Sequence, residues 1–332
     1  MRTADAQQER GLLQRLANGP VSGDTLAREA GLTRAAVWKR IDALREAGVG
    51  IEASPGRGYR LEQPLDLLDP DAIRAGLPAS MQGGLAGLEI AWSLDSTNSE
   101  LLRRDTPASG CAVLLAERQT GGRGRRGRAW ASPLAAHVYL SLARRFDGGL
   151  ARLGGLSLVA GVAACEALHG LGFDRVRLKW PNDLVVVDGD GLRKLGGLLV
   201  EGGGEVAGAA RAVVGVGLNV RMPAREGGAI DQPWVELAGL LDHAPSRSAV
   251  VAALLAQLLP ALDQFDAHGL SPFLSRYAGF DALAGREVAI HETTGAWHAT
   301  ALGIADDGAL RVRVDGAERR VHAGEVSVRM GA

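Results

Sequence analysis

Through the first fifty residues the apolar positions repeat at helical spacing. Leu12, Leu13 and Leu16 form one stripe that stops at Asn18-Gly19-Pro20. Leu26, Ala27 and Ala30 form a second, headed by Ser22 and closed by Gly31. Ala36, Val37, Ile41, Leu44 and Ala47 form a third, headed by Thr33 and closed by Gly48. Ser and Thr in these positions cap free N–H groups, and the glycines stop the helices. The Glu29-Ala30-Gly31-Leu32-Thr33 junction predicts a helix-turn-helix. The period then shortens to two: 49–53, a turn at Ser54-Pro55-Gly56 and Tyr59-Arg60-Leu61 predict a hairpin, the wing of a winged helix spanning 1–62.

Residues 62–71, with Pro64 and Pro70, read as a linker. From 72 to 270 the periods mix. Strands are predicted at 88–93, 111–116, 176–179, 184–187, 195–200 and 212–220, and Ser96-Thr97-Asn98 caps a short helix. A long apolar helix is predicted over 153–171, and two more between 246 and 277. Strands adjacent in sequence predict an α+β layer on a mixed or largely antiparallel sheet. From 283 to 330 short alternating runs and tight turns at Asp306-Asp307-Gly308 and Asp315-Gly316 predict a small SH3-like β-barrel.

With 46% hydrophobic and 23% charged residues, 332 residues suffice for two or three domains with buried cores. The net charge of −1 excludes bulk attraction to nucleic acid, so any such contact must be local. One local patch exists. Over 34–60, Arg34, Lys39, Arg40, Arg45, Arg57 and Arg60 stand against Asp42, Glu46 and Glu52, a net charge of +3. Arg34, Ala35, Trp38 and Lys39 on the third helix, with Arg57 on the wing, are the candidate DNA contacts. Cys111 and Cys165 lack metal-ligand spacing and suit a reducing, cytoplasmic setting. No apolar run is expected to approach membrane-spanning length.

The candidate chemistry centres on 119–130, QTGGRGRRGRAW. From Arg118 to Arg145 there are seven arginines and no acidic residue. Glycine-rich backbone is costly to order and clustered arginines repel, so the segment predicts a loop that orders around an anion. Gly122, Gly124 and Gly127 spell a dinucleotide fingerprint, but that motif opens a helix. Here a strand-like alternation (Val138, Leu140, Leu142) follows. A kinase loop would need later motifs this chain lacks, and an RGG-type RNA-binding segment belongs in a disordered tail. Further on stand Lys179-Trp180-Pro181-Asn182-Asp183, Arg193-Lys194-Leu195-Gly196-Gly197 and 214–219, VGVGLN. Singly, each reads as ordinary turn or packing chemistry.

Together and in this order, after Ser96-Thr97-Asn98, these motifs resemble the bacterial biotin–protein ligases, and the winged helix in front points to the kind that also represses biotin genes. The likeness spans essentially the whole chain. It implies formation of biotinyl-5′-AMP from biotin and ATP, then transfer to a lysine of a biotin carboxyl carrier protein. Carried over, Ser96, Thr97, Asn98, Gln119, Arg123, Gly124, Arg125, Lys194 and Gly197 would hold biotin. Arg125, Arg128, Lys179, Asn182, Asn219 and Trp234 would hold the nucleotide, and Asp183 would hold Mg²⁺. Lys179, Lys194 and Arg125 would be catalytic. The glycine–arginine loop and 221–232 would act as lids, and the adenylate would promote a homodimer on operator DNA. The rival readings are a ligase with a non-regulatory winged helix, a biotin sensor without catalysis, and a lipoate ligase.

Overall fold

The computed structural model describes residues 3–54, 56–147, 149–189, 191–204, 210–223, 227–230, 232–292, 295–323 and 327–330. Both predicted cap hydroxyls do cap. Ser22 accepts from the N–H of Thr25 to open α2 (Gly23–Ala30), and Thr33 accepts from Ala36 to open α3 (Arg34–Glu46). Each replaces an intrahelical acceptor that a first turn lacks. Leu12, Leu13 and Leu16 of α1 (Thr3–Ala17) meet Leu26, Val37, Ile41 and Leu44 in a core where none is more than 2% exposed. The wing is the antiparallel hairpin of β1 (Ile51–Ser54) and β2 (Gly58–Leu61); Pro55 in its turn lies outside the described residues.

The expected linker is instead built into the protein. Leu68 is 1% exposed and its N–H donates to Glu117 Oε1 at 2.8 Å. Asp66 O accepts from Arg247 Nη1 at 2.7 Å, and Asp69 caps α4 (Pro70–Ala75). A linker leaves its backbone to water; here a buried leucine, Glu117 and Arg247 fix it.

After the one-turn α5 (Ala79–Gln82), the central unit is a sheet of seven strands among the described residues, ordered β3-β4-β5-β9-β8-β7-β6. These are β3 (Leu85–Ala91), β4 (Cys111–Ala116), β5 (Val138–Phe146), β6 (Val176–Lys179), β7 (Asp183–Asp188), β8 (Gly191–Gly204) and β9 (Ala210–Leu218). β3 and β4 are parallel, joined through α6 (Thr97–Arg103), and every other pairing is antiparallel, so the sheet is mixed as expected. The predicted helix at 153–171 divides into a 3₁₀ turn at Leu150–Leu153 and α7 (Leu156–Gly170). Apolar nearly all round, α7 is sandwiched between the sheet and α8 (Arg247–His268). The reading that no run reaches membrane-spanning length is corrected by α8. Its 22 residues are long and apolar enough, yet Val250, Leu254, Leu258 and Leu262 are fully buried in the central core. α9 (Leu274–Phe280) follows.

The C-terminal unit is an antiparallel sheet ordered β13-β12-β11-β10-β14, with β10 (Glu287–Glu292), β11 (Gly295–Ile304), β12 (Leu310–Val314), β13 (Ala317–Val321) and β14 (Ser327–Met330). Between β13 and β14, residues 324–326 lie outside the described residues.

The winged helix is joined to the central unit by more than chain continuity. Leu134, just past the glycine–arginine segment, is 4% exposed inside the winged-helix core, and its N–H donates to Ala47 O at 2.8 Å. Trp92 Nε1 donates to Glu9 Oε2 at 2.7 Å.

Candidate active site

β6 ends at Lys179 opposite Asp183, which opens β7, and β7 pairs Asp183 with Gly197 of β8. This register brings the two motif lysines onto one carboxylate. Lys194 Nζ lies 2.7 Å from Asp183 Oδ1, and Lys179 Nζ lies 3.6 Å from Oδ2. Burial alone would raise the Asp183 carboxyl, but the two ammonium groups outweigh it and hold it below the usual carboxylate range. Burial pulls Lys179 down from the usual lysine value, and Asp183 opposes that pull. The trio carries a net positive charge in a partly dry setting, where an added anion is strongly attracted.

Over this trio stands the glycine–arginine segment, its shape set by main-chain bonds. Gly121 N donates to Asp95 O at 2.8 Å, Gly124 N to Arg128 O at 2.8 Å and Trp130 N to Gly122 O at 2.9 Å. Arg126 takes a left-handed φ of 59° between them. The four arginines do not simply repel. Arg123 Nη2 reaches both oxygens of Glu201, at 2.9 and 3.1 Å. Arg125 donates to Ala323 O beside the C-terminal sheet and feels Asp183; burial draws its guanidinium pKa down. Arg126 and Arg128 are exposed.

The remaining predicted residues form the wall beside the loop. Ser96 caps α6. Thr97 N and Oγ1 both donate to Gln119 Oε1, at 2.8 and 3.1 Å. Asn98, 3% exposed, donates to Leu199 O at 3.0 Å and to Glu201 Oε2 at 2.8 Å. Asn182 Nδ2 donates to Leu198 O at 2.7 Å on the rim of a cavity of 340 Å³ that Arg125, Ser157 and Leu198 also line. Asn219 is only 5% exposed, and its amide donates to Lys194 O and Val235 O, holding backbone rather than standing open. Trp234 pairs with Lys194 as an isolated bridge, and its indole donates to Gly227 O at 3.2 Å. Of the candidate second lid at 221–232, residues 224–226 and 231 lie outside the described residues.

Asp183 does not fit a protein-held Mg²⁺. Both its oxygens face lysines, and the described residues contain no cluster of three or more His, Cys, Asp or Glu suited to a metal. A hard cation gains little from one carboxylate already neutralised by two ammonium groups.

Three residues of the site receive no role from the sequence. Trp130 lies over Lys194, with Nζ 5.5 Å from its ring, and fills the space above Gly217, where a Cβ would come within 2.9 Å of the indole. Its Nε1 is buried and has no hydrogen-bond partner among the described residues. Glu201 lies 78 residues from the arginine it binds. Arg329, on β14, is close enough to act electrostatically on Lys179. Trp130 ends the motif and was open to discovery; the other two carry no local signal.

A second cationic surface lies on the winged helix. Arg34, Ala35, Trp38 and Lys39 on α3 and Arg57 on the wing are all exposed. Trp38, at 54%, is the exposed large hydrophobic side chain among the described residues.

Against known proteins, residues 91–219 match the biotin/lipoate A/B protein ligase family, 9–60 an HTH domain and 284–329 the biotin protein ligase C-terminal domain. The chain is 41% identical to the bifunctional ligase/repressor BirA of Salmonella typhimurium over 322 residues, covering 96% of each chain. It is 33% identical to the biotin–[acetyl-CoA-carboxylase] ligase of Paracoccus denitrificans, over 70% of this chain and 96% of that one. The solved structure of the biotin protein ligase from Aquifex aeolicus with biotin and ATP shares the fold. Its TM-score is 0.61 at 24% identity, covering 74% of this chain and 100% of that one.

Proposed function

The chain belongs to the biotin–protein ligases, in their bifunctional ligase/repressor form, and we propose on that premise that it activates biotin with ATP and passes the biotinyl group to a carrier-protein lysine. The observation that carries this reading is the convergence of Lys179 and Lys194 on Asp183 beneath the glycine–arginine loop. In the first step biotin's carboxylate attacks the α-phosphorus of ATP, the bond to the β-phosphate oxygen breaks, and pyrophosphate leaves. Two anions must meet, so fixed cations matter most as charge builds on the phosphorus oxygens. Lys194 sits where it can hold the carboxylate against the phosphate, with Lys179 and Arg125 drawing on the phosphates and Arg128 at the rim. Mg²⁺ would be held by the triphosphate rather than by this chain. In the second step the acceptor's neutral amine attacks the acyl carbonyl, and AMP leaves as the amide forms.

Ser96, Thr97, Asn98, Gln119 and the backbone around Arg123 and Gly124 form the biotin wall, with Gly197 leaving room beside Lys194. The Trp130 indole N–H adds a donor that wall needs. We take the acceptor to be a biotin carboxyl carrier protein; the name of the Paracoccus relative gives acetyl-CoA carboxylase as the protein that enzyme modifies. The two free thiols, both buried, suit a reducing cytoplasm.

The test is transfer of labelled biotin to a carrier domain in the presence of ATP, with lipoate as competitor. Biotin-dependent labelling is expected; preference for lipoate, or no transfer, overturns the reading. The repressor half rests on the exposed cationic face of α3 and the wing. We infer that biotinyl-AMP favours a homodimer that places two winged helices on a two-fold operator. Gel shifts and sedimentation with and without biotin and ATP test it, and a ligand-independent result refutes it.

A further inference from the structure

Glu201 draws together two side chains of the candidate site that come from different elements. Its Oε2 accepts from Asn98 Nδ2 at 2.8 Å, and Arg123 Nη2 lies 2.9 and 3.1 Å from its two oxygens. The second guanidinium nitrogen of Arg123 donates to Ser99 Oγ at 2.5 Å on α6. Asn98 has no freedom to turn elsewhere. Its Oδ1 lies 2.6 Å from Ser141 Oγ, and a Cβ on Gly215 would stand 2.3 Å from that same oxygen.

Arg123 therefore spends its charge inside the protein. It has another use. In the limb Gly121-Gly122-Arg123-Gly124 it is the one residue with a side chain. Glycine backbone loses the most freedom on ordering, so a limb of this composition stays in place only through its main-chain bonds and this guanidinium. Charge-assisted pairing to both carboxylate oxygens is the strongest anchor such a limb can make.

We propose that Glu201 is a positioning residue for adenylate retention: it pins the entry limb of the glycine–arginine loop through Arg123 and the floor beneath it through Asn98. This rests on the ligase reading above. An acyl-adenylate that leaves the site early reacts with water or stray amines, so retention decides how much activated biotin reaches the acceptor.

The test uses the full-length chain loaded with biotin and ATP and then chased with unlabelled ligand, so that adenylate formation and release are timed separately. Glu201→Ala and Arg123→Ala are each expected to raise the ratio of release to formation about five- to tenfold, the scale of a partly exposed ion pair with charge-assisted bonds. The double variant is expected to release about as fast as the faster single one, because the shared anchor is lost only once. Additive effects, or a release-to-formation ratio unchanged in both single variants, overturn the proposal. Arg123→Ala alters a loop rather than the core and keeps the test open if Glu201→Ala does not fold. If the unaltered chain forms no adenylate, the ligase reading fails and takes this proposal with it; if it forms and holds adenylate and the variants do not differ, this proposal alone fails.

Discussion

Arg247 Nη1 and Glu117 Oε2 lie 2.7 Å apart, and each side chain is 1% exposed. The same guanidinium donates to His137 O at 3.0 and 2.6 Å and to Asp66 O at 2.7 Å. Glu117 lies just before the glycine–arginine loop and His137 just after it, so one arginine clasps both stems and the segment leading from the winged helix. His137 itself stays neutral, because burial and the nearby Arg247 push its pKa down to about 3. Removing one partner of such a pair strands a buried charge, at a cost of about 3–5 kcal/mol. Arg247→Met is expected to lower urea stability by that amount, and Arg247→Met with Glu117→Leu to recover most of it. Equal loss in single and double variants would contradict the account.

Lys194→Ala removes charge at the reacting centre and no core volume. Adenylate formation is expected to fall by about 10²–10³, with unfolding free energy changed by no more than about 1 kcal/mol for this partly exposed group. Pyrophosphate release and urea titration measure the two. A normal adenylation rate would remove Lys194 from the mechanism.

The pH dependence follows from the lysine–aspartate trio. Lys179 is held below the free lysine value by burial, so it loses its proton earlier as pH rises, and with it its hold on phosphate. Adenylate formation should therefore fall on the alkaline side before free lysine would titrate, at about 10.4. Asp183→Asn removes the anion that opposes the shift and should move this limb further toward neutrality, whereas Lys179→Arg should abolish it. A limb that does not move in Asp183→Asn would refute the assignment. The stability sign is opposite. The unfolded lysine binds the proton more tightly, so this group's contribution to folded stability rises as pH climbs between its two pKa values.

Gly217→Ala places a methyl 2.9 Å from the Trp130 indole. The ring must shift, and Lys194 beneath it loses its neighbour. Displacements of this size in a binding site cost on the order of ten- to a hundredfold in kcat/KM, and the loss is expected mainly in KM for biotin. Steady-state kinetics at saturating ATP measure it, and unchanged kinetics would remove Trp130 from the site.

On the winged helix, Arg34→Ala and Trp38→Ala should weaken operator binding by roughly 1–3 kcal/mol each if they touch base edges, without changing the adenylation rate. Lys39→Ala should instead reduce the salt dependence of binding. Loss of ligase activity in Trp38→Ala would point to a fold defect rather than a DNA contact.

How far this architecture was legible follows from the range of each interaction. The caps at Ser22 and Thr33 and the hairpin at 51–61 depend on residues within a few positions, and local spacing disclosed them. The segment 62–71 looked like a linker because the groups that fix it lie far away: Glu117 is 49 residues from Leu68 and Arg247 is 181 from Asp66. In the site, the motifs named Lys179, Asp183 and Lys194, but only the β6–β7–β8 register shows them as one charged cluster. The arginines were legible as charge and not as partners, since nothing near Arg123 announces Glu201.

The burial of Leu134 in the winged-helix core has a bearing on how such chains can be shortened. Remove the N-terminal sixty residues and the exit limb of the glycine–arginine loop is left with a bare leucine, the bare Trp92 face and an unanswered N–H. The winged helix is thus roof as well as reader. A chain cut down in this way is expected to gain stability when Leu134 is replaced by a residue that tolerates water, as urea titration of the shortened chain with and without the change would measure.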